Sequence, residues 1–286
     1  MAVIHVSTWN DFKTAITGEA NTVILDSDID ANGDIINDRI NVRAIEIDGQ
    51  GHTIYNYTST HSGSDFWLEF YYDNRYITCN IKNLNFYNIV VGGINRDEAL
   101  FRARRGNFTL TNCRIQGLIN KSLIIGSQMY QCSCEFTKLR FIGGVEDSNS
   151  IEECWFDLGE NILPNGSPFY YQGNVRYCYF KGSLDTKGLS NNLPIFRSSC
   201  KSSIFNIELS DTSEDYKTIK LNDITDTEIN LYNTDKLSFP ANVIFETQSN
   251  FTGLSDASLK SPESVNATGF NPFVMWGANC GNMVHR

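Results

Sequence analysis

Short segments reading apolar, mostly polar, apolar return along this chain at a nearly constant interval. They are Leu84-Asn85-Phe86, Cys113-Arg114-Ile115, Cys134-Glu135-Phe136, Cys154-Trp155-Phe156, Cys178-Tyr179-Phe180, Phe205-Asn206-Ile207 and Ile229-Asn230-Leu231. From first residue to first residue the steps are 29, 21, 20, 24, 27 and 24. Alternation at period two marks a strand with one buried face. Self-similarity at a period in the twenties marks stacked repeats. Together they predict parallel strands wound into a coil. A second series keeps step with the first: Leu100-Phe101-Arg102, Leu123-Ile124-Ile125, Phe169-Tyr170-Tyr171, Ile195-Phe196-Arg197 and Thr218-Ile219-Lys220. Two series per period, with room for a third, fit a coil of two or three parallel faces. The register is weakest at 136–150, where Leu139-Arg140-Phe141 follows its predecessor closely.

The start reads as a cap. Thr8-Trp9-Asn10-Asp11 fits a helix N-terminus, with Thr8 as N-cap and Asp11 reaching back. Trp9, Phe12 and Ile16 then share one helical face, suited to covering the open end of a stack. The expected organisation is a cap over 1–20, a coil over 21–254, and a loop with a capping or contact segment over 255–286. Between Ile47 and Leu84 lies an insertion, 57–76, holding Phe66, Trp67, Phe70, Tyr71, Tyr72 and Tyr76. The tail turns apolar again at Phe270, Phe273, Met275 and Trp276. It is expected either to seal the far end or to contact a partner or another copy.

Charge narrows the partners. Thirty-three acidic residues against 23 basic give a net −10. That disfavours nucleic acid and anionic membranes, which select basic surfaces. The N-terminus lacks a basic start followed by an apolar stretch, and no apolar run reaches membrane-spanning length. The expectation is a chain made in a cytosol without a leader. Of the eight cysteines, Cys113, Cys134, Cys154 and Cys178 occupy one register of the repeat. Stacked coils would file them inside the core as reduced, small hydrophobes. Cys132 and Cys134 form a C-x-C pair without a second pair at zinc spacing.

The stretch Ile45-Glu46-Ile47-Asp48-Gly49-Gln50-Gly51-His52-Thr53-Ile54 resembles the early coil of the pectin-lyase-like superfamily. Asn112-Cys113-Arg114-Ile115 and Glu153-Cys154-Trp155-Phe156-Asp157 resemble its ordinary rungs. The resemblance covers roughly 20–250 and implies an all-β, single-stranded right-handed parallel β-helix with an N-terminal capping helix. It says less about function, because the fold hosts lyases, hydrolases, adhesins and virus fibres. In organisation the chain looks most like small β-helix proteins of bacteriophage particles.

The chemistry that such enzymes need is sparse. Polygalacturonase-like members carry paired aspartates, Gly-His-Gly and Arg-x-Lys. This chain has no Asp-Asp pair, and Gly51-His52-Thr53 stands in an early coil without such partners. His52 is expected in a turn. Asp26, Asp28, Asp30 and Asp34 are expected in a solvated loop rather than around a cation. Arg102, Arg104 and Arg105, with Arg96 nearby, form the basic cluster, suited to an acidic sugar or to local acids. The 57–76 insertion, through Phe66, Trp67, Tyr71 and Tyr72, is either the best candidate binding surface, since exposed aromatics stack on sugars and anchor interfaces, or a strand pair packed on the flank of the coil.

The sequence therefore points to a structural or attachment protein of a phage-like particle, such as a head or tail fibre, spike or baseplate component. Its expected partners are other virion proteins, copies of itself (as a trimer in such fibres) and a host surface polysaccharide. No cofactor, metal or catalytic residue is expected. The alternatives are a polysaccharide lyase or glycoside hydrolase, and a non-viral carbohydrate-binding adhesin module.

Overall fold

Alternating residues become a coil here because every strand finds its next partner one winding later. The computed structural model describes residues 2–18, 21–69, 77–93, 97–104, 106–143, 150–162, 170–176, 178–185, 196–201, 204–210, 218–220, 244–246, 276–279 and 282–285. Two compact units divide the chain, 1–149 and 150–286.

The first unit is a parallel β-helix with one helix among its described residues. It opens with β1 (Val3–Val6) and α1 (Trp9–Thr17). The first coil holds β2 (Thr22–Leu25), β3 (Ile29–Asp30), β4 (Ile35–Ile36) and β5 (Ile40–Asn41). The second holds β6 (Glu46–Asp48), β7 (Thr53–Tyr55), β8 (Thr58–Ser59) and β9 (Phe66–Glu69). The third holds β10 (Ile77–Lys82), β11 (Asn85–Val91) and β12 (Ala99–Arg104). The fourth holds β13 (Gly106–Thr111) and β14 (Arg114–Ile125), and the fifth β15 (Ser127–Tyr130) and β16 (Ser133–Gly143). One face stacks β1, β2, β6, β10, β13 and β15 in parallel. A second stacks β3, β7, β11, β14 and β16. A third runs from β5 through β9 and β12 to the end of β14. The long strands β11, β14 and β16 bend across the corner between faces. Leu139-Arg140-Phe141 lies within β16, which explains why it followed its predecessor so closely.

The cap forms as its residues dictate. The Thr8 hydroxyl accepts from the Asp11 amide at 3.2 Å and donates to its carboxylate at 2.7 Å. Trp9, Phe12, Ala15 and Ile16 are buried on one face of α1. The Trp9 ring stacks on Phe12 and meets Tyr57 edge-on. Its indole donates to Asp34, and Lys13 holds the same carboxylate. The segment is more than a lid, because β1 pairs with β2 and joins the stack.

Inside the unit, Tyr57, Phe66, Phe101, Phe86 and Phe108 pack ring on ring at 5.1–6.1 Å. Asparagines take the corners. Asn56, Asn83, Asn88 and Asn112 all have positive φ, which asparagine tolerates. Asn112 donates to Asn83 at 2.8 Å, and Asn88 to Asn56 at 2.7 Å. Each corner amide thereby ties its coil to the one before.

The expected cysteine file needs a correction of register. All four cysteines are buried, but Arg114 pairs with Asn85 on one side and with Ser133 on the other. That sets Cys113 beside Leu84 and Cys132, and Cys134 two residues further on, opposite Ile115. Cys113 and Cys132 each direct the thiol to the carbonyl two residues back, at 3.4 Å.

The second unit holds β17 (Ser150–Glu152), β18 (Trp155–Ile162), β19 (Tyr170–Arg176), β20 (Tyr179–Asp185), β21 (Phe196–Lys201) and β22 (Ile204–Ser210). Their pairings, β17–β19, β18–β20, β19–β21 and β20–β22, are parallel. The second strand series keeps its expected register, with Tyr170 opposite Phe196 and Tyr171 opposite Arg197. Trp155 pairs with Tyr179, so Cys154 and Cys178 do stack. Phe205, however, pairs with Phe180 and not with Cys178, another two-residue slip from the expected alignment. Further on, β23 (Thr218–Lys220) and β24 (Ile244–Glu246) pair in parallel, and β25 (Trp276–Asn279) and β26 (Asn282–His285) form an antiparallel hairpin. The expected boundary at 254/255 lies outside the described residues.

Candidate functional site

Within the described part of the aromatic insertion, Phe66 and Trp67 are both buried. Phe66 is only 2 % exposed and stacks on Phe101 at 5.1 Å. Its β9 pairing with β5 and β12 turns it inward. Trp67 alternates outward but is covered. Arg39, from the preceding coil, and Arg102, in register on the next, both lie 5.1 Å from its ring. Cation–π contacts of this kind are worth about 0.5–1 kcal/mol each at exposed sites. Arg102 is further engaged by the Asp97 carbonyl at 2.6 Å and Glu98 at 3.2 Å. Arg102 and Arg104 share the outward side of β12 as expected, and Arg104 is exposed. Of the basic cluster, then, Arg102 braces a neighbouring ring instead of waiting for a ligand. Tyr71, Tyr72, Arg96 and Arg105 lie outside the described residues, as do Phe270, Phe273 and Met275. Trp276 begins strand β25.

The acidic run is exposed to solvent as expected, and its carboxylates are also tied to neighbouring elements. Asp26 contacts His5 at 2.7 Å. Asp28 accepts from the Thr53 amide at 2.8 Å and faces the His52 ring at 3.3 Å. Asp30 accepts from Asn56 at 3.0 Å, and Asp34 holds Trp9 and Lys13. Each carboxylate ties one element to another. The Lys13 hydrogen bond, helped by Trp9, holds the Asp34 carboxyl below its ordinary value despite partial burial. Among the described residues, no group of three or more His, Cys, Asp or Glu side chains is set to hold a metal ion.

Two carboxylates do converge, at Glu46 and Asp48. Lys82 lies 3.2 Å from the first and 3.4 Å from the second. Burial alone would raise Asp48. The Gln50 amide, the Asn83 side chain and the Lys82 charge outweigh it and hold the carboxyl below its ordinary value. A glycosidase acid needs the opposite shift, upward, to carry a proton at neutral pH. Through Gln50, Asn83 and Lys82, Asp48 braces the Asp48–Gly51 turn.

A different strip emerges on the outward side of β7 and β11. Tyr55 and Tyr87 are register partners on adjacent coils, about 4.8 Å apart at the strand spacing. Tyr87 is 55 % exposed. A shallow cleft of about 300 Å³ runs along them, lined also by Asp28, Thr53, Asn85 and Arg114. Asn85 is anchored to the Gly51 carbonyl at 2.8 Å and Arg114 to Glu135 at 2.8 Å, so the polar groups are held in place. Beyond the Asn88 corner, Val90 and Ile35 extend the exposed apolar surface. Neighbouring tyrosine rings beside fixed carboxylate, amide and guanidinium groups can grip an apolar sugar face and its hydroxyls together. The sequence carried a faint signal for it: Thr53-Ile54-Tyr55 and Asn85-Phe86-Tyr87 place tyrosine at the same outward position of consecutive coils.

A family model described as a putative pectate lyase-like adhesive domain matches residues 3–128. The match spans β1 to the start of β15 and includes the whole tyrosine strip. It suggests an adhesin-like or carbohydrate-related role. No curated protein and no solved structure matches the chain.

Proposed function

We propose that this chain is a β-helical attachment module that binds a surface glycan along the Tyr55–Tyr87 strip without cleaving it. The carrying observation is the pair of tyrosines at register positions of adjacent coils, lining a cleft with anchored polar groups. A ladder repeated at strand spacing suits a repeating polymer, since successive sugar units meet successive coils. The similarity to an adhesive domain over the same coils supports the reading. The finer reading, a fibre, spike or baseplate component of a phage-like particle in contact with copies of itself, stays part of the proposal and rests on sequence organisation. Attachment from a cell surface uses the same strip.

The test is incubation of the chain with capsular and cell-wall polysaccharides, scoring both retention and products. Retention without new reducing ends or unsaturated products is expected. Tyr55→Ala with Tyr87→Ala is expected to weaken it at least about tenfold, or about 1.4 kcal/mol, with an unchanged circular-dichroism spectrum. Cleavage products, or binding indifferent to the double substitution, would overturn the assignment.

A further inference from the structure

The core of the first unit contains one amine and one carboxyl sealed together. Lys121 and Asp65 are both 0 % exposed, with Nζ 3.0 Å from Oδ1. They stand 56 positions apart, Lys121 on β14 in the fourth coil and Asp65 just before β9 in the second. Glycine at 93 opens the way between them. A Cβ there would lie 3.3 Å from Lys121 Cε, and its φ of +99° suits glycine. Nζ also donates to the His61 and Gly63 carbonyls at 2.9 and 2.6 Å. The Ser59 hydroxyl donates to Asp65 Oδ1 at 2.7 Å, whereas Oδ2 has no partner. The Tyr57 hydroxyl is buried beside Ser59 and Asp65.

As an ion pair this arrangement contributes little, because desolvating two charges offsets most of their attraction. Burial pushes the Asp65 carboxyl above its ordinary value, and the Lys121 charge only partly reverses that. A buried carboxyl held 3.0 Å from an ammonium, with water excluded, is a weak salt bridge and a good acylation pair. Fixed contact replaces the entropy of bringing the reactants together, and exclusion of water removes the hydrolytic back-reaction.

We propose that Lys121 and Asp65 condense into an intramolecular amide that ties the fourth coil to the second. The ammonium first passes one proton to the carboxylate. The freed Nζ lone pair attacks Cγ and forms the Nζ–Cγ bond. A second proton moves from nitrogen to Oδ2, the Cγ–Oδ2 bond breaks, and Oδ2 departs as water. Oδ1 remains as the amide oxygen, accepting from Ser59, and the last N–H donates to the Gly63 or His61 carbonyl. One ammonium and one carboxylate give one amide and one water, with no oxidant, reductant or cofactor. In an attachment module under tension, the bond closes a ring that contains the third coil, so a pull on the chain ends cannot extend the segment between Asp65 and Lys121.

Intact-mass spectrometry of the full chain decides the matter. The expected mass is lower than the sequence mass by one water. Proteolysis is expected to yield one branched peptide joining the segments around Asp65 and Lys121, absent from a Lys121→Met variant of full sequence mass. A wild-type chain at full sequence mass would overturn the proposal, as would a water loss mapped elsewhere, such as Asp48-Gly49. The wild-type result stands even if Lys121→Met does not fold, and it is independent of whether the tyrosine strip binds a glycan.

Discussion

Replacing Phe66 with alanine separates a core aromatic from a surface one. The ring is 2 % exposed and has three aromatic neighbours: Phe101 at 5.1 Å, Tyr57 at 5.7 Å and Phe86 at 6.1 Å. Burying a phenyl side chain and closing the cavity left behind it put a Phe→Ala change at about 3–5 kcal/mol. Each lost ring pair is worth about 0.5–1.5 kcal/mol beyond area, which sets this site in the upper part of that range, near 4–5 kcal/mol. Collapse is unfavourable here, because Phe86 and Phe101 are fixed by strand pairing in the third coil. The assay is chemical denaturation of the full chain followed by circular dichroism, with Tyr87→Ala as the exposed comparison. Tyr87→Ala should shift stability by about 0.5 kcal/mol or less, as for surface sites. If Phe66→Ala costs under about 1 kcal/mol while polysaccharide binding disappears, the inward assignment of β9 is wrong.

Two further outcomes follow from the same geometry. At Gly117, where β14 passes the β11 corner, an added Cβ would sit 2.1 Å from the Ile89 carbonyl oxygen and 2.7 Å from its nitrogen, both backbone atoms, at a φ of +152°. Gly117→Ala should cost about 3 kcal/mol or more, read as a lowered denaturation midpoint. Gly33→Ala, with nothing within 4 Å of its Cβ, should cost only about 1 kcal/mol for the positive φ. The second outcome concerns acid. Because the folded Asp34 carboxyl titrates below its ordinary 3.8, its contribution is present above that value and is lost as pH falls through the folded pKa. Trp9 fluorescence should therefore report loosening of α1 below about pH 4. Asp34→Asn should be less stable near neutrality and lose that acid transition; an unchanged transition would refute the tether.

Much of the architecture was legible as pattern. Period-two alternation gave the buried faces, the recurring interval gave the winding, and Thr8 with Asp11 gave the cap, because each is set by local geometry. Register was not legible to the same degree. A slip of one residue turns a strand inside out, but a slip of two leaves every side chain on its own face. Alternation is therefore blind to the difference between Cys132 and Cys134 as the neighbour of Cys113. The corner residues decide it: Asn83, Asn112 and Gln131 all take positive φ, and the strands align from those corners.

The same limit explains the binding surface. Composition marked 57–76 as aromatic but could not say which rings face inward. Phe66 is claimed by Tyr57 and Phe101, and Trp67 is covered by guanidiniums from the neighbouring coils. Tyr55 and Tyr87 are unremarkable in sequence and become a strip only when the second and third coils stack. Lys121 and Asp65 lie further apart still. The sequence by itself determined that the strands alternate between a buried and an outward side and roughly how often the chain returns. Only the tertiary structure decided which residues of different coils meet, because those contacts depend on the length and corner geometry of every intervening winding.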